Sequence, residues 1–290
     1  MAEAKFDKAE LFFNLPWDAE WVTAVCFVGK SRLVAAGNNR GEIMVWEVPE
    51  QKGSPVPQPA RKLVGHTNSI SKLVATADGR WLISASYDHT IRYWDMQAAA
   101  NGAPATVTLN ERARYEATQR RGAKQPDPVE VKVPTQEAAR VLSSHKDWIC
   151  GFSMSNDEKL LVSGDDGGKV IVWERASGKE LKSWQVTGWA YAVAFSPDTN
   201  DVVVSERIPL IFDRGRHSGI RVWDRQAGTA KQGLDKEFDK MHVAAALYAP
   251  DGKHLILGKG GEGDGKIYYV DPKTGKKTKE LSPQHQYGIT

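Results

Sequence analysis

Little in this chain invites a catalytic or metal-binding reading. Its 290 residues include two cysteines, Cys26 and Cys150. Neither lies in a CxxC or a zinc-ligand spacing, which excludes a disulfide framework or a cysteine metal site. Charge of one sign is scarce as well. The 39 basic and 36 acidic side chains leave a net charge of +3, too small to hold nucleic acid or an anionic membrane by itself. No run approaches the ~18 apolar residues of a membrane span. The opening MAEAKFDKAELFF is broken by charges and lacks the apolar stretch of a secretory leader, so the cytoplasm is the expected compartment. GKGGEGDGK (258–266) is Gly-rich but lacks the Gly-Lys-Ser/Thr end of a phosphate loop, and it leads into a strand rather than a helix. Glu262 and Asp264 within it are too few for calcium. No metal and no cofactor are expected.

Tryptophan, by contrast, is plentiful, and much of it is placed by repetition. IMVWE, IRYWD, VIVWE, IRVWD and IYYVD put Trp46, Trp94, Trp173, Trp223 and Val270 at spacings of 48, 79, 50 and 47. Each is preceded by a second apolar run: WVTAVCFV, SISKLVAT, WICGFSMS, WAYAVAFS and HVAAALYA. A turn follows each of these, with Asp-Gly or Pro-Asp-Gly in the clearest cases, where glycine tolerates a positive φ. A third run comes next: RLVAAG, WLISAS, LLVSGD, VVVSER and LILGKG. A fourth lies in the links, as in RKLVGH and ARVLSSH. Short strands, tight turns and a fixed period predict an all-β repeat architecture.

These residues resemble the WD40 repeat family over almost the whole chain. LVGHTNSISKLVATADGRWLISASYDHTIRYWDM, Leu63 to Met96, is the fullest match. The resemblance implies a β-propeller of four-stranded antiparallel blades and a bacterial-type member of the family. Units are expected near 17–64, 65–143, 144–186, 187–238 and 239–284. The closing QHQYGIT matches GHTNSIS of unit two, so a sixth unit is expected to begin at 285–290. Ala9–Leu15 reads as an outer strand for a last blade. The expectation is a C-terminally incomplete chain: about five blades plus the start of a sixth, in an open arc.

The family pattern also explains why SASYDHTIRYWD gathers Asp88, His89, Trp94 and Asp95. It implies a structural tetrad of His66, Ser84, Asp88 and Trp94 inside the second blade. Buried indole N–H, hydroxyl and imidazole groups need partners, and a carboxylate facing a histidine makes a charge-assisted bond. A Ser-His-Asp nucleophile is the competing reading, but it needs access and an oxyanion hole. The other units depart from the pattern. The third keeps His145, Ser163 and Trp173 but has Gly167 at the Asp position, with Asp166 one place early. The first has Asp18 and Arg40 at the His and Asp positions, the fourth has Val186 at the His position, and the fifth has Asp239 and Val270. By this count only the second blade is fully stapled.

Two segments interrupt the repeats. An insertion at 97–138 contains NERARYEATQRRG, which predicts a short helix with Asn110 as N-cap and Gly122 as stop. It follows a third strand and is expected on the face opposite the docking turns. ERIPLIFDRGRHSG (206–219) lengthens a turn in unit four. In the family's topology the turns before strand one and between strands two and three share one face. That face would collect Trp21, Trp148 and Trp189, together with Arg40, Tyr87, Arg214, Arg216 and His217. Aromatic and arginine side chains are common interface anchors. The leading reading is a non-enzymatic scaffold that binds a protein or peptide on that surface, which would suit an acidic or extended one. A propeller hydrolase with a channel site would need inward ligands, and Thr23, Ser71, Cys150, Tyr191 and Ala244 are poor ones. A nucleic-acid platform is the third reading, against which the net charge argues.

Overall fold

The structure is a computed structural model that describes residues 12–17, 19–120, 122–207, 219–234, 238, 241–249, 251–260 and 265–281. Arg214, Arg216, His217, Asp18, Asp239, Glu262, Asp264 and the segment 285–290 lie outside the described residues. The strands fall into the sheets the repeats predict. The first comprises β1 (Val22–Phe27), β2 (Leu33–Asn38), β3 (Ile43–Glu47) and β4 (Pro59–Val64). The second comprises β5 (Ile70–Ala75), β6 (Trp81–Ser86), β7 (Ile91–Asp95) and, after the insertion, β10 (Arg140–Leu142). The insertion itself holds β8 (Gly102–Thr108), α1 (Glu111–Gln119) and β9 (Glu130–Glu137). The third blade is β11 (Ile149–Met154), β12 (Leu160–Asp165), β13 (Lys169–Glu174) and β14 (Glu180–Gln185). The fourth is β15 (Trp189–Phe195), β16 (Asp201–Arg207), β17 (Gly219–Asp224) and β18 (Thr229–Gly233). The fifth is β19 (Val243–Tyr248), β20 (Leu255–Lys259), β21 (Ile267–Val270) and β22 (Lys277–Leu281). Blades three to five are antiparallel meanders with strands in sequence order. Among the described residues, no helix is long and apolar enough to cross a membrane.

The chain divides into two compact units, residues 1–82 with 93–140 and residues 83–92 with 141–290. In the first, Ala35, Ile43, Val45 and Leu63 of blade one pack with Ile70, Leu73, Leu82 and Trp94. In the second, Val162, Val172 and Trp184 of blade three meet Val193, Phe195, Val202 and Val204 of blade four. Ala194, Val203, Ile220 and Val222 then meet Leu255, Leu257, Tyr268 and Val270 of blade five. Successive residues of a strand thus serve opposite faces, as the period-2 geometry requires. One position near the end of the second strand must stay small because the next inner strand packs on it. A Cβ at Gly37 would come within 2.6 Å of Ile70, and one at Gly164 within 2.5 Å of Ala190.

The turns after the inner strands share one construction. In three of them a hydroxyl (Thr76, Ser155, Ser196) donates to the carboxylate two residues on (Asp78, Asp157, Asp198) at 2.5–2.7 Å. The same carboxylates accept backbone N–H groups of Arg80, Lys159 and Asn200. This is the local side-chain chemistry that favours Ser, Thr and Asp in turns.

The insertion extends the first sheet. β9 pairs in parallel with β4, through Lys62↔Thr135, Leu63↔Gln136 and Val64↔Glu137, and β8 pairs with β9. Blade one therefore becomes a six-stranded sheet, β1-β2-β3-β4-β9-β8. Gln136 anchors the join: its amide donates to the Asp95 carbonyl at 2.8 Å and its oxygen accepts from Arg61 at 2.5 Å. Val107 and Val133 also reach Ala36, Met44 and Trp46, with Leu15 and Trp17 packed alongside. Residues 12–15, expected as part of an outer strand, form no strand. The predicted helix is present with Asn110 at its N-cap position, but the Asn110 side chain does not cap it. It accepts from Val129 N–H and donates to the Asp127 carbonyl, tying the helix start to the chain entering β9.

Candidate docking site around Trp148

Four of the five inner strands open with a β-bulge. The register slips between Val22 and Ala24 in β1, Ile149 and Gly151 in β11, Ala190 and Ala192 in β15, and Val243 and Ala245 in β19. The residues passed over are Thr23, Cys150, Tyr191 and Ala244, four of the five positions singled out above as poor ligands. A bulge kinks the strand and re-aims its side chains. It therefore sets the direction of the residue at the strand entrance: Trp21, Trp148 or His242 just before the strand, or Trp189 at its first position.

Trp148 is the best defined of these. Its backbone N–H donates to Asp166 Oδ1 at 2.8 Å, and its carbonyl accepts from Asp166 N–H at 3.0 Å. The Cys150 thiol also donates to that carbonyl, at 3.4 Å. The indole is 47% exposed and stacks on Tyr87 with centroids 5.1 Å apart and planes 5° from parallel. Tyr87 comes from the turn after β6. Asp88 Oδ1 accepts from Thr90 N–H at 3.0 Å and from its hydroxyl at 2.6 Å. Asp88 N–H in turn donates to Ser86 Oγ at 3.0 Å, and His89 takes φ +69°. Trp148 is thus held from behind by backbone bonds to Asp166, and Tyr87 sits in a turn tied together by Ser86, Asp88 and Thr90. Such a stack contributes about 0.5–1.5 kcal/mol beyond its buried area.

The charges beside Trp148 are acidic. Asp147 is exposed, and its carboxylate lies where a Cβ on Gly167 would stand. Burial pushes the Asp166 carboxyl above the ordinary carboxylate value, and the like charges of Asp147 and Asp165 add to this against the Trp148 N–H. Of the expected basic residues, Arg214, Arg216 and His217 lie outside the described residues. Arg40, in the other unit, is engaged by Glu20 at 2.9 Å, and the hydrogen bond from Arg40 holds the Glu20 carboxyl below its ordinary value. Trp21 is 73% exposed in that same unit. Trp189 is half-buried and its backbone pairs with Arg207.

A complete polar staple occurs in the third blade, where the sequence reading placed none. His145 Nδ1 lies 2.6 Å from Asp165 Oδ2, and Nε2 lies 2.6 Å from Ser163 Oγ. The Trp173 indole N–H donates to the same Ser163 oxygen at 2.8 Å. The carboxylate comes from Asp165, the last residue of β12, and not from the turn position occupied by Gly167. The family spacing pointed past it. The available signal was the doubled acid at the strand end, of which Asp166 serves Trp148 and Asp165 serves His145. The constellation has the connectivity of a hydrolytic triad, but Ser163 is fully buried and its oxygen is shared with an indole. A nucleophile needs access, and this serine has none. In the second blade the His66 and Trp94 rings stand 6.1 Å apart at 60°, matching the 6.2 Å and 54° of His145 and Trp173.

The family description "WD domain, G-beta repeat" matches residues 57–95 and 136–174. Small ribosomal subunit protein RACK1 of Caenorhabditis elegans is 23% identical over 274 residues, covering 75% of this chain and 81% of that protein. Cross-pathway control WD-repeat protein 2 of Flammulina velutipes is 23% identical over 243 residues, covering 66% and 77%. Eukaryotic translation initiation factor 3 subunit I of Mycosarcoma maydis is 30% identical over 135 residues, covering 44% and 38%. The chain thus carries WD40 repeats at residues 57–95 and 136–174, set within a series of four-stranded sheets, and is similar over most of its length to WD-repeat proteins.

Proposed function

We propose that the protein is a non-enzymatic interaction scaffold that docks a protein or peptide on the turns carrying Tyr87 and Trp148. The observation that carries this reading is an exposed indole held by two backbone bonds to Asp166 and stacked on Tyr87. Large aromatics fixed before binding lose little entropy on contact and make common hot spots. The relatives support membership of an assembly, since their names place them in a small ribosomal subunit and in a translation initiation factor. Trp189 and Trp21 are further candidate contacts. The acidic partner expected from the arginines finds no support at Trp148, which stands beside the carboxylates of Asp147 and Asp166.

The test is affinity capture with the full chain and two variants, Trp148→Ala and Tyr115→Ala. Tyr115 is 65% exposed on α1 and serves as the control. Loss of a hot-spot anchor costs upwards of ~2 kcal/mol, about a 30-fold loss of affinity. The expected partner is recovered by wild type and by Tyr115→Ala and lost with Trp148→Ala. A folded Trp148→Ala variant that binds its partner as wild type does overturns the assignment. A captured nucleic acid, with affinity falling steeply in salt, would favour the electrostatic platform instead.

A further inference from the structure

We infer that the Tyr87–Trp148 pair accepts a cationic side chain of its partner, an arginine in a basic peptide segment, flanked by the carboxylates of Asp147 and Asp166; this rests on the docking reading above. The first support is shape. Two rings lying parallel within 5° make a stacked array to which a planar guanidinium adds as another layer. An indole face is the preferred aromatic partner for a cation, and this indole is about half exposed.

The second support is charge. Asp147 projects over Gly167, where no side chain can cover it, and Asp166 is fastened to the Trp148 backbone N–H. Asp165 lies immediately behind, fully committed to His145 and to the Lys169 N–H. Burial first, and then the like charges of Asp147 and Asp165, push the Asp166 carboxyl above its ordinary value. An entering cation relieves that repulsion. The cations close by in sequence are Lys146, which is exposed, Lys169, whose ammonium reaches the Ser144 carbonyl at 3.4 Å, and Arg92, which is 4.0 Å from Asp88. Among the described residues, none of these three forms an ion pair with Asp147 or Asp166. Aromatic face and acidic rim together select a positive, planar, hydrogen-bonding group.

The experiment titrates the full chain with three labelled nonapeptides. One carries arginines spaced by Gly and Ser, one has each arginine replaced by citrulline, and one has each replaced by glutamate. Citrulline keeps the planar shape and removes the charge. The expected order is arginine first, citrulline about 10-fold weaker, and glutamate without measurable binding. Trp148→Ala and the double variant Asp147→Asn/Asp166→Asn should each weaken the arginine peptide by about 5- to 10-fold. The double variant Asp127→Asn/Glu130→Gln removes the same number of charges from exposed insertion residues and should leave binding intact. Equal affinity for arginine and citrulline, preference for glutamate, no binding at all, or indifference to Asp147→Asn/Asp166→Asn overturns the inference. The two readings fail separately. A captured partner that depends on Trp148 while the arginine peptide does not bind sinks the cation and keeps the scaffold. Arginine binding that requires Trp148 while the captured partner ignores it does the reverse.

Discussion

Blades three and four place a tryptophan at the same point of the third strand and hold it in different ways. In blade three the Trp173 N–H ends a chain that runs through Ser163 and His145 to Asp165. In blade four the serine position is Val204 and the histidine position is Val186. The Trp223 indole nitrogen is then buried with no hydrogen-bond partner. Trp223 stacks instead on Trp184 from the edge of blade three, with centroids 5.9 Å apart and planes at 25°. The acid survives as Glu206, but it turns to Arg221 at 2.6 Å. One blade fixes its tryptophan by polar bonds inside the sheet. The other fixes it by contact with its neighbour, as repeat stacking allows. The difference shows that the repeat demands a filled volume at this point, and that the polar network is one of two ways to hold it.

The comparison breaks most visibly at Asp165. Its side chain and that of His145 are each 1% exposed, and removing one member of a buried pair costs about 3–5 kcal/mol. Asp165→Ala should therefore lower the urea midpoint by the largest amount of any single change in blade three. Asp88→Ala tests the second blade. We propose that His66, Ser84, Asp88 and Trp94 form the equivalent staple there, and the matching ring geometry of His66 and Trp94 supports it. Its loss should cost about 1–3 kcal/mol, less than at Asp165, because the Thr90 groups it serves lie at a half-exposed turn that water can reach. A melt in which Asp165→Ala matches wild type would remove the polar network from the account of blade three.

A finer test cancels the cavity. Trp173→Phe and Trp223→Phe delete the same atoms, but only the first deletes a satisfied hydrogen bond. The first should cost about 1–2 kcal/mol more than the second. Equal losses would show that Ser163 contributes nothing to holding Trp173, and that the two blades are fixed by packing alike.

Blade three also marks how far the sequence could be read. The strands, their order, the turns and the helix after Asn110 follow from apolar periodicity and turn chemistry, which are local. Asp165 was missed because a hydrogen bond is set by direction in space. A strand-end carboxylate two residues after the serine reaches the same imidazole that the family pattern serves from a turn. The bulges were hidden for a related reason, since a slipped register leaves the alternation of WICGF or WAYAVAF nearly unchanged. The parallel β4–β9 pairing was beyond local reading, because nothing in GAPATVT or EVKVPTQE says which edge they join. At the docking site Trp148 and Tyr87 were legible as residues, while the acidic setting was not. Asp166 read only as a tetrad acid one place early, Asp147 gave no signal of its own, and Arg40 counted as a docking residue although Glu20 holds it.

The smallest expected effect separates the two kinds of aspartate turn by the sign of their pH dependence. Asp198 accepts from the Ser196 hydroxyl, which with its other hydrogen bonds holds its carboxyl below the ordinary value of 3.8. A carboxyl lowered by folding stabilises the native state when ionised. Its contribution is present above pH 3.8 and is lost as pH falls through the lower folded value. Asp166 is displaced the other way by burial and by its acidic neighbours. The native state then holds this proton more tightly than the unfolded chain does. Stability from this group is greatest below pH 3.8 and declines as pH rises through the higher folded value. Asp198→Asn should thus lower the urea midpoint near neutral pH by an amount that shrinks on acidification. Asp166→Asn should raise the midpoint near neutral pH, or lower it less than Asp198→Asn does, and any advantage should vanish as pH falls below 3.8. Matched urea series at about pH 7, 5 and 3 read both trends. If the two variants drift in the same direction, the crowding of charge under Trp148 is relieved by solvent, and the acidic rim exerts no field on a docking cation.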